Sequence, residues 1–441
     1  MIEQALRRAT DTKGLLIADG AIASVPDMFK KMFPGLRPIV IADTTTWTVA
    51  GAEVNDLLTD AGLKPDEPYI FTDSNLHAEW KYIERLDKVL AATDAVAVAV
   101  GSGTINDLSK LSSHHCGKRY MTVSTAASMD GYTAYGASIT KDGAKQTFSC
   151  PAPLAVVADT AVIARAPIDM TAAGYADLFA KIPAGADWIL SDELGVEAID
   201  PFSWDLVQGS LKSALGEPDL IRAGDRSAMY RLIEGLIMSG FAMQAHQSSR
   251  PASGADHQFS HLWNMEHHAM ADGTVPSHGF QVSIGTLMST ALYEQFLKED
   301  IENLDVEACV VAWPSLEEQL KVSEEMFAGS DFPLIGVTEL KAKYVDRDTL
   351  RCQLNTLKKN WKHIRSRLQT QLVPFGELRE SLRLVGAPTA PDQIGISCER
   401  LRRSAIRAQQ IRRRFTILDI AVRIGCLEKW LDAVFDSNFW K

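Results

Sequence analysis

Short apolar runs and longer amphipathic stretches alternate over the first 165 residues. Runs rich in Val and Ile stand at 37–42 (RPIVIA), 95–100 (AVAVAV), 120–125 (YMTVST) and 154–158 (LAVVA). Between them, stretches such as HAEWKYIERLDKVLAAT (77–93) repeat apolar residues at helical spacing. The runs are nearly continuous in apolar residues, as strands buried on both faces must be. The alternation predicts a parallel sheet covered by helices on both faces. After ARAPIDM (164–170) the texture changes, and amphipathic helical patterns dominate, as in 227–246 and 283–300. The expected organisation is therefore an α/β domain over 1–167 followed by an all-α domain over 168–441.

Composition adds exclusions. With 46% hydrophobic and 23% charged residues the chain reads as an ordinary globular protein. A net charge of −11 argues against nucleic acid or an anionic membrane as the main partner. Basic clusters at 358–368 and 399–415 mix Arg with apolar residues at roughly helical spacing, which predicts solvated helix faces. Six scattered cysteines without a CxxC pair suit reduced thiols, and the charged N-terminus lacks a signal peptide's apolar core. No apolar run approaches the roughly 20 residues of a membrane helix. The expectation is a soluble cytoplasmic protein.

Two stretches carry candidate chemistry. AVAVAVGSGTINDLSK (95–110) reads as strand, glycine turn and helix start. Gly101 and Gly103 would let the backbone approach a phosphate, and the helix start from Thr104 would offer N–H groups. The run is neither GxGxxG, because Asn106 replaces the third glycine, nor a Walker loop. A ligand-free crossover would look the same. Asp43, at the end of the 37–42 run, could bind the adenosine end of a dinucleotide or simply cap a helix. In SSRPASGADHQFSHLW, His257 and His261 are four apart and share a helix face. With His278 and Asp177 they make a plausible divalent-cation set, although spacing alone does not select the ligands. His267 and His268 are expected at the surface or in packing, and His246 in the core. STAASMDGYTAYG (124–136) holds a lone acid, Asp130, among small residues. Alone, that stretch reads as a turn.

Taken in order, GSGTINDLSK, STAASMDGYT, PLAVVADTAVIARAP, GYADLFAK, SSRPASGADHQFSH and SHGFQVSIGTL resemble the sn-glycerol-1-phosphate dehydrogenase family, near its bacterial arabinose-operon type. That family is part of a metal-dependent group with glycerol dehydrogenases, iron-type alcohol dehydrogenases and dehydroquinate synthases. The resemblance implies a Rossmann-like N-terminal domain and a helical C-terminal domain, in a dehydroquinate synthase-like architecture. It implies reduction of dihydroxyacetone phosphate to sn-glycerol 1-phosphate with NAD or NADP as cofactor, and the reverse. By the same resemblance Asp177, His257 and His278 would hold one divalent metal, zinc or nickel, that polarises the carbonyl during hydride transfer. Asp130, Asp177 and His261 would contact substrate, with Asp130 and His261 catalytic. Gly101, Gly103, Thr104, Ile105, Asn106 and Asp107 would cradle the pyrophosphate. Thr125, Ala126, Ala127 and Ser128 would line the nicotinamide side, and Asp43 would bind the adenosine end.

Three departures stand out. Ala134 replaces the family's serine four residues after the motif acid, Asp256 replaces a glutamate, and the His257–His278 interval is longer than usual. Arg250 and Lys181 are candidates for the substrate phosphate, and a homo-oligomer is the default expectation. The alternatives are a dehydrogenase of an unphosphorylated polyol and a non-catalytic NAD-binding sensor.

Overall fold

The computed structural model describes residues 2–74, 76–141, 144–436 and 439–440. The chain divides into two compact units. The first comprises Met1–Leu178, Phe202–Ser249 and Leu384–Gly386, and the second Phe179–Pro201, Arg250–Arg383 and Ala387–Lys441. Strands give way to helices after Asp159, but the first unit extends beyond Pro167. It takes in the helices Pro201–Leu215 and Arg226–His246, the second of which packs on the loop after the fifth strand.

The first unit is built on six parallel strands: β1 (Gly14–Ala18), β2 (Pro38–Asp43), β3 (Tyr69–Phe71), β4 (Val96–Gly101), β5 (Met121–Ser124) and β8 (Ala155–Asp159). β6 (Ala137–Lys141) and β7 (Ala144–Phe148) form a separate antiparallel hairpin. The sheet order is β1-β8-β5-β4-β2-β3. Both faces are covered, as the apolar runs require. Val96, Val98 and Val100 face one core with Phe29, Val54 and Leu58. Ala97 and Ala99 face the other, with Leu86, Leu90, Leu108 and Leu111. The strand order reverses between β2 and β4, since β3 lies outside β2 while β5 lies on the far side of β4. In an open parallel sheet, that reversal opens a ligand crevice at the strands' carboxyl ends. Asp43 and Gly101 are the last residues of those two strands.

The second unit is helical. Its helices Ala255–Met265 and His278–Phe296 pack side by side. An aromatic core forms where Phe296 meets Trp361 and Trp430, at ring separations of 5.0 and 5.7 Å. The helix Arg347–Gln371 buries Leu350, Leu354, Leu357, Trp361, Ile364 and Leu368, so the basic cluster at 358–368 is its solvated face, as expected. The second cluster departs from expectation. Residues 398–408 are helical and their arginines pair with Glu266, Glu428 and Asp432, but Arg412, Arg413 and Arg414 lie on an irregular segment after the helix ends. Among the described residues no helix is long and apolar enough to cross a membrane.

Candidate functional site

The glycine turn after β4 leads directly into the helix Gly103–His115. Its cap residue Ser102 makes no side-chain hydrogen bond to the helix start, and the first return bond is from Asn106 N to Ser102 O at 3.0 Å. The N–H groups of Gly103, Thr104 and Ile105 thus precede the helix ladder at the reversal point, where the helix dipole favours an anion. The two glycines differ in role. A Cβ on Gly101 would lie 2.6 Å from the Ile105 Cβ, so Gly101 lets strand and helix close on each other. A Cβ on Gly103 would meet only the Met129 side chain, its Cε at 3.1 Å and its Cγ at 3.3 Å.

Asn106 and Asp107 are engaged in holding neighbouring backbone. Asn106 is buried, accepts from the Tyr120 hydroxyl at 2.9 Å and reaches Gly131 O at 3.5 Å. Asp107 accepts from Ser138 N at 3.1 Å, which fixes the start of β6. Asp43 caps the turn that follows β2. Its carboxylate accepts from Thr46 N at 2.7 Å, while Thr46 Oγ1 accepts from Asp43 N at 3.0 Å. The helix-capping alternative is therefore realised.

The loop 124–136 is shaped by a residue that sequence reasoning missed. Lys110, 1% exposed, donates its ammonium to Gly131 O, Ala134 O and Gly136 O at 3.0, 3.1 and 3.0 Å. Lys110 lies one turn after Asn106 on the buried side of the helix, with Leu108 and Leu111 as near neighbours in sequence, the pattern that could have signalled it. Tyr132 donates to Ala126 O at 2.8 Å, and Thr133 to Ile237 O at 2.7 Å. Two helices approach this loop at glycines. A Cβ on Gly174 would fall 1.9 Å from Ala127 O, and one on Gly240 would fall 2.2 Å from Thr133 Oγ1. Thr125, Ala126 and Ala127 are buried under them, while Ser128 and Asp130 stay partly open. Asp130 is held from two sides: its N–H donates to Asp177 Oδ2 at 3.1 Å, and its carboxylate accepts from Ser239 Oγ at 2.8 Å. Ala134 is buried, and its carbonyl accepts from the Lys110 ammonium.

In the helical unit, His257 and His261 share a face of the helix Ala255–Met265, and His278 opens the helix beside it. The His257 ring lies 5.3 Å from that of His278 and 6.3 Å from that of His261, centroid to centroid. His257 and His278 both have partners on Nδ1. His257 Nδ1 bonds the buried carboxylate of Asp256, and His278 Nδ1 lies 3.3 Å from Ser260 Oγ. A carboxylate on Nδ1 holds the imidazole proton there and leaves the lone pair on Nε2. The second carboxylate oxygen of Asp256 is buried with no hydrogen-bond partner among the described residues.

A further carboxylate organises this region from behind. Asp187 accepts from the Tyr293 hydroxyl at 2.6 Å, Ala255 N at 2.7 Å and Ile417 N at 2.7 Å. Burial, more than these bonds can offset, pushes its carboxyl up to about 7. The phosphate candidates from the sequence are interior residues. Arg250, 1% exposed, donates to Phe415 O at 3.2 Å and Asp187 O at 3.1 Å, and Lys181 is fully buried. The remaining histidines are as expected in part. His267 is exposed beside Asp331, and His268 is buried against Ile394 O. His246 instead ends its helix half-buried, bonded to Ser248.

The chain is similar to known proteins. The family of iron-containing alcohol dehydrogenases matches residues 16–167. Glycerol-1-phosphate dehydrogenase (NAD(P)+) of Halalkalibacterium halodurans is 35% identical over 274 residues, 62% of this chain and 68% of that protein. The protein of the same name from Geobacillus stearothermophilus is 30% identical over 386 residues, 87% of this chain and 85% of its own. Among solved structures, glycerol dehydrogenase from Schizosaccharomyces pombe superposes with a TM-score of 0.60 at 16% identity, covering 98% of this chain and 93% of that one. A probable glycerol dehydrogenase from Sinorhizobium meliloti gives 0.58 at 18% identity, with 97% and 98% covered. At such identities the structural likeness shows the fold alone. The sequence likeness over most of both chains goes further: this chain belongs to the glycerol-1-phosphate dehydrogenase family.

Proposed function

We propose that the chain reduces dihydroxyacetone phosphate to sn-glycerol 1-phosphate with NADH or NADPH, and catalyses the reverse reaction. The observation that carries this reading is the likeness to relatives named for that activity, one of them aligned over 85% of its length. The donor chemistry supports a metal. Asp177, His257 and His278 are, among the described residues, a group of side chains suited to hold one cation, with Asp177 and His257 buried and His278 half-buried. Two imidazoles and a carboxylate suit zinc or nickel and leave positions for substrate. We assign the cation to these three residues, the pyrophosphate to the N–H groups of Gly103 to Ile105, and the adenosine end to the neighbourhood of Asp43.

A bound nicotinamide would supply the hydride, and a cation held by Asp177, His257 and His278 would polarise the substrate carbonyl. The protein's own part is positioning. Asp256 and Ser260 orient His257 and His278 through their Nδ1 atoms. Lys110 rigidifies the loop that presents Asp130, and Ser239 aims the Asp130 carboxylate, to which we assign a substrate hydroxyl. We assign His261, one turn beyond His257, to the substrate oxygen as proton donor in reduction and acceptor in oxidation. The enzyme is further proposed to be a cytoplasmic homo-oligomer.

The test is a substrate panel with both nucleotides. NADH or NADPH oxidation should be faster with dihydroxyacetone phosphate than with dihydroxyacetone, and His257→Ala should lose metal and turnover together. A preference for the unphosphorylated ketone would transfer the assignment to a polyol dehydrogenase. Unchanged turnover by metal-free protein would remove the cation from the reaction.

A further inference from the structure

Two contacts away from the imidazoles set how the helices of His257 and His278 lie on each other. At the first, the backbones nearly touch: a Cβ on Gly285 would fall 2.2 Å from Asp256 O. At the second, a third helix bridges them. Asp187, fully buried on the helix Lys181–Glu193, accepts from Ala255 N at 2.7 Å through Oδ2 and from the Tyr293 hydroxyl at 2.6 Å through Oδ1. Ala255 opens the helix that carries His257, and Tyr293 belongs to the helix that His278 opens. Oδ1 also accepts from Ile417 N at 2.7 Å, at the start of the helix Ile417–Arg423. Arg250 braces the same junction by donating to Asp187 O at 3.1 Å and Phe415 O at 3.2 Å. All these residues belong to the helical unit.

The arrangement costs more than capping one helix requires. A local Ser, Thr or Asp would serve the helix start on its own. Position 254 is instead glycine, and the helix has no side-chain cap from that position. A Cβ there would lie 2.4 Å from Asp187 Oδ2, so the glycine makes room for a carboxylate from another helix. Burying that carboxylate is expensive. What it adds over a local cap is a fixed relation between two helices. That relation matters because Ala255 stands two residues before His257. Metal–ligand distances tolerate only about 0.2 Å, so a larger slide of one helix on the other would take an imidazole out of range.

We infer that Asp187, together with Tyr293, is a positioning residue for the cation. It sets the spacing of the His257 and His278 imidazoles, whose ring centres lie 5.3 Å apart, and so governs how tightly and in what geometry a cation is held. Asp187 acts through the two helices and not as a ligand. The inference rests on the proposed assignment of the cation to these histidines and Asp177.

Tyr293→Phe removes one hydroxyl and keeps the ring, while Asp187→Asn sets an N–H group against the surrounding donors. Leu350→Ala, buried in the helix Arg347–Gln371 and outside these bonds, controls for lost stability alone. Each variant, as the full chain, is stripped of metal and titrated with zinc against a chromophoric chelator. A second sample is loaded with cobalt(II), whose visible absorption responds to the arrangement of its ligands. Zinc affinity should fall about 3- to 10-fold in Tyr293→Phe and about 10- to 100-fold in Asp187→Asn, and the cobalt bands should shift in both. Leu350→Ala should unfold at lower urea yet keep wild-type affinity and bands. Wild-type affinity and bands in Tyr293→Phe would overturn the inference, whether or not Asp187→Asn folds. So would losses that Leu350→Ala shares in proportion to its lost stability, since these would give Asp187 a structural part only. Full metal retention by His257→Ala would defeat the cation assignment and this inference together. Loss of metal from His257→Ala with unaltered binding in Tyr293→Phe defeats this inference alone.

Discussion

The backbone amide of Asp130 donates to the carboxylate of Asp177 across 3.1 Å. The residue proposed to meet substrate is thereby tied to one proposed to hold the cation, and the two can be separated by substitution. Asp177→Asn retains an oxygen to accept that bond while losing the charge a cation requires. It should lower metal affinity by more than about tenfold and leave the thermal midpoint of the metal-free protein near wild type. Asp177→Ala should lose both. Metal analysis after dialysis against a buffered chelator, with melting of the stripped proteins, reads the two effects apart. Full metal retention by Asp177→Asn would remove this residue from the ligand set.

Lys110 gives a second prediction. Its ammonium serves three carbonyls of the 131–136 loop while nearly inaccessible to water. Lys110→Met keeps the length of the side chain and leaves those carbonyls without their donor, at a cost on the order of 3 kcal/mol. Urea unfolding should show that loss, and hydrogen exchange should speed up at the loop amides while the sheet core stays protected. Wild-type exchange in the loop would mean that the surrounding helices, not Lys110, fix its shape.

The strands that sequence reasoning located and those it missed differ in burial. β2, β4, β5 and β8 are covered on both faces, so apolar residues fill most of their positions and the run announces itself. β1 is only partly buried beyond Gly14, β3 has three residues, and the β6–β7 hairpin lies outside the main sheet. None of these leaves a long apolar signature. The candidate site was legible where a motif carries it, at Gly103, Asp130, Asp177 and the histidines. Lys110, Ser239 and Asp187 act through distant backbone or side-chain partners, and separations of 21 to 230 residues leave no local pattern. The last basic cluster was misread because arginine spacing resembles a helix face, whereas the helix stops at Ala408.

The two glycines of the β4 turn should respond differently to alanine. Gly101→Ala forces a methyl against Ile105, at 2.6 Å from its Cβ, and should destabilise the protein by about 1–3 kcal/mol. Gly103→Ala meets only the Met129 side chain. Its stability should stay close to wild type, while the KM for NADH and NADPH rises because the methyl intrudes where the pyrophosphate is proposed to lie. Chemical denaturation with nucleotide kinetics separates the cases. An unaltered nucleotide KM in Gly103→Ala would place the cofactor elsewhere.

The carboxylate of Asp256 bonds His257 Nδ1. Asp256→Asn offers His257 a neutral partner and weakens the orientation of the imidazole. Metal affinity should fall about 10- to 100-fold, as with other outer partners of ligating histidines. Competition against a chromophoric chelator measures this directly. Asp256→Glu should retain far more affinity than Asp256→Asn, because it keeps the charge. Equal affinities in all three proteins would show that the bond to His257 does not tune the metal.

Asp187 makes stability depend on pH in a direction opposite to that of most carboxylates. Its folded value of about 7 lies above the roughly 3.9 of an unfolded aspartate, because burial opposes the charge. Below about pH 4 both states hold the proton. Between about 4 and 7 only the folded state holds it, so stability declines as pH rises, and above about 7 the loss is complete. Each unit is worth about 1.4 kcal/mol, so the decline from pH 5 to 8 is on the order of 3 kcal/mol. Asp187→Asn has no such proton to release. The unfolding free energy of wild type minus that of Asp187→Asn should therefore fall across this window, as read from urea midpoints at each pH. A difference that stays flat or rises with pH would mean that the bonds from Tyr293, Ala255 and Ile417 outweigh burial and keep Asp187 ionised.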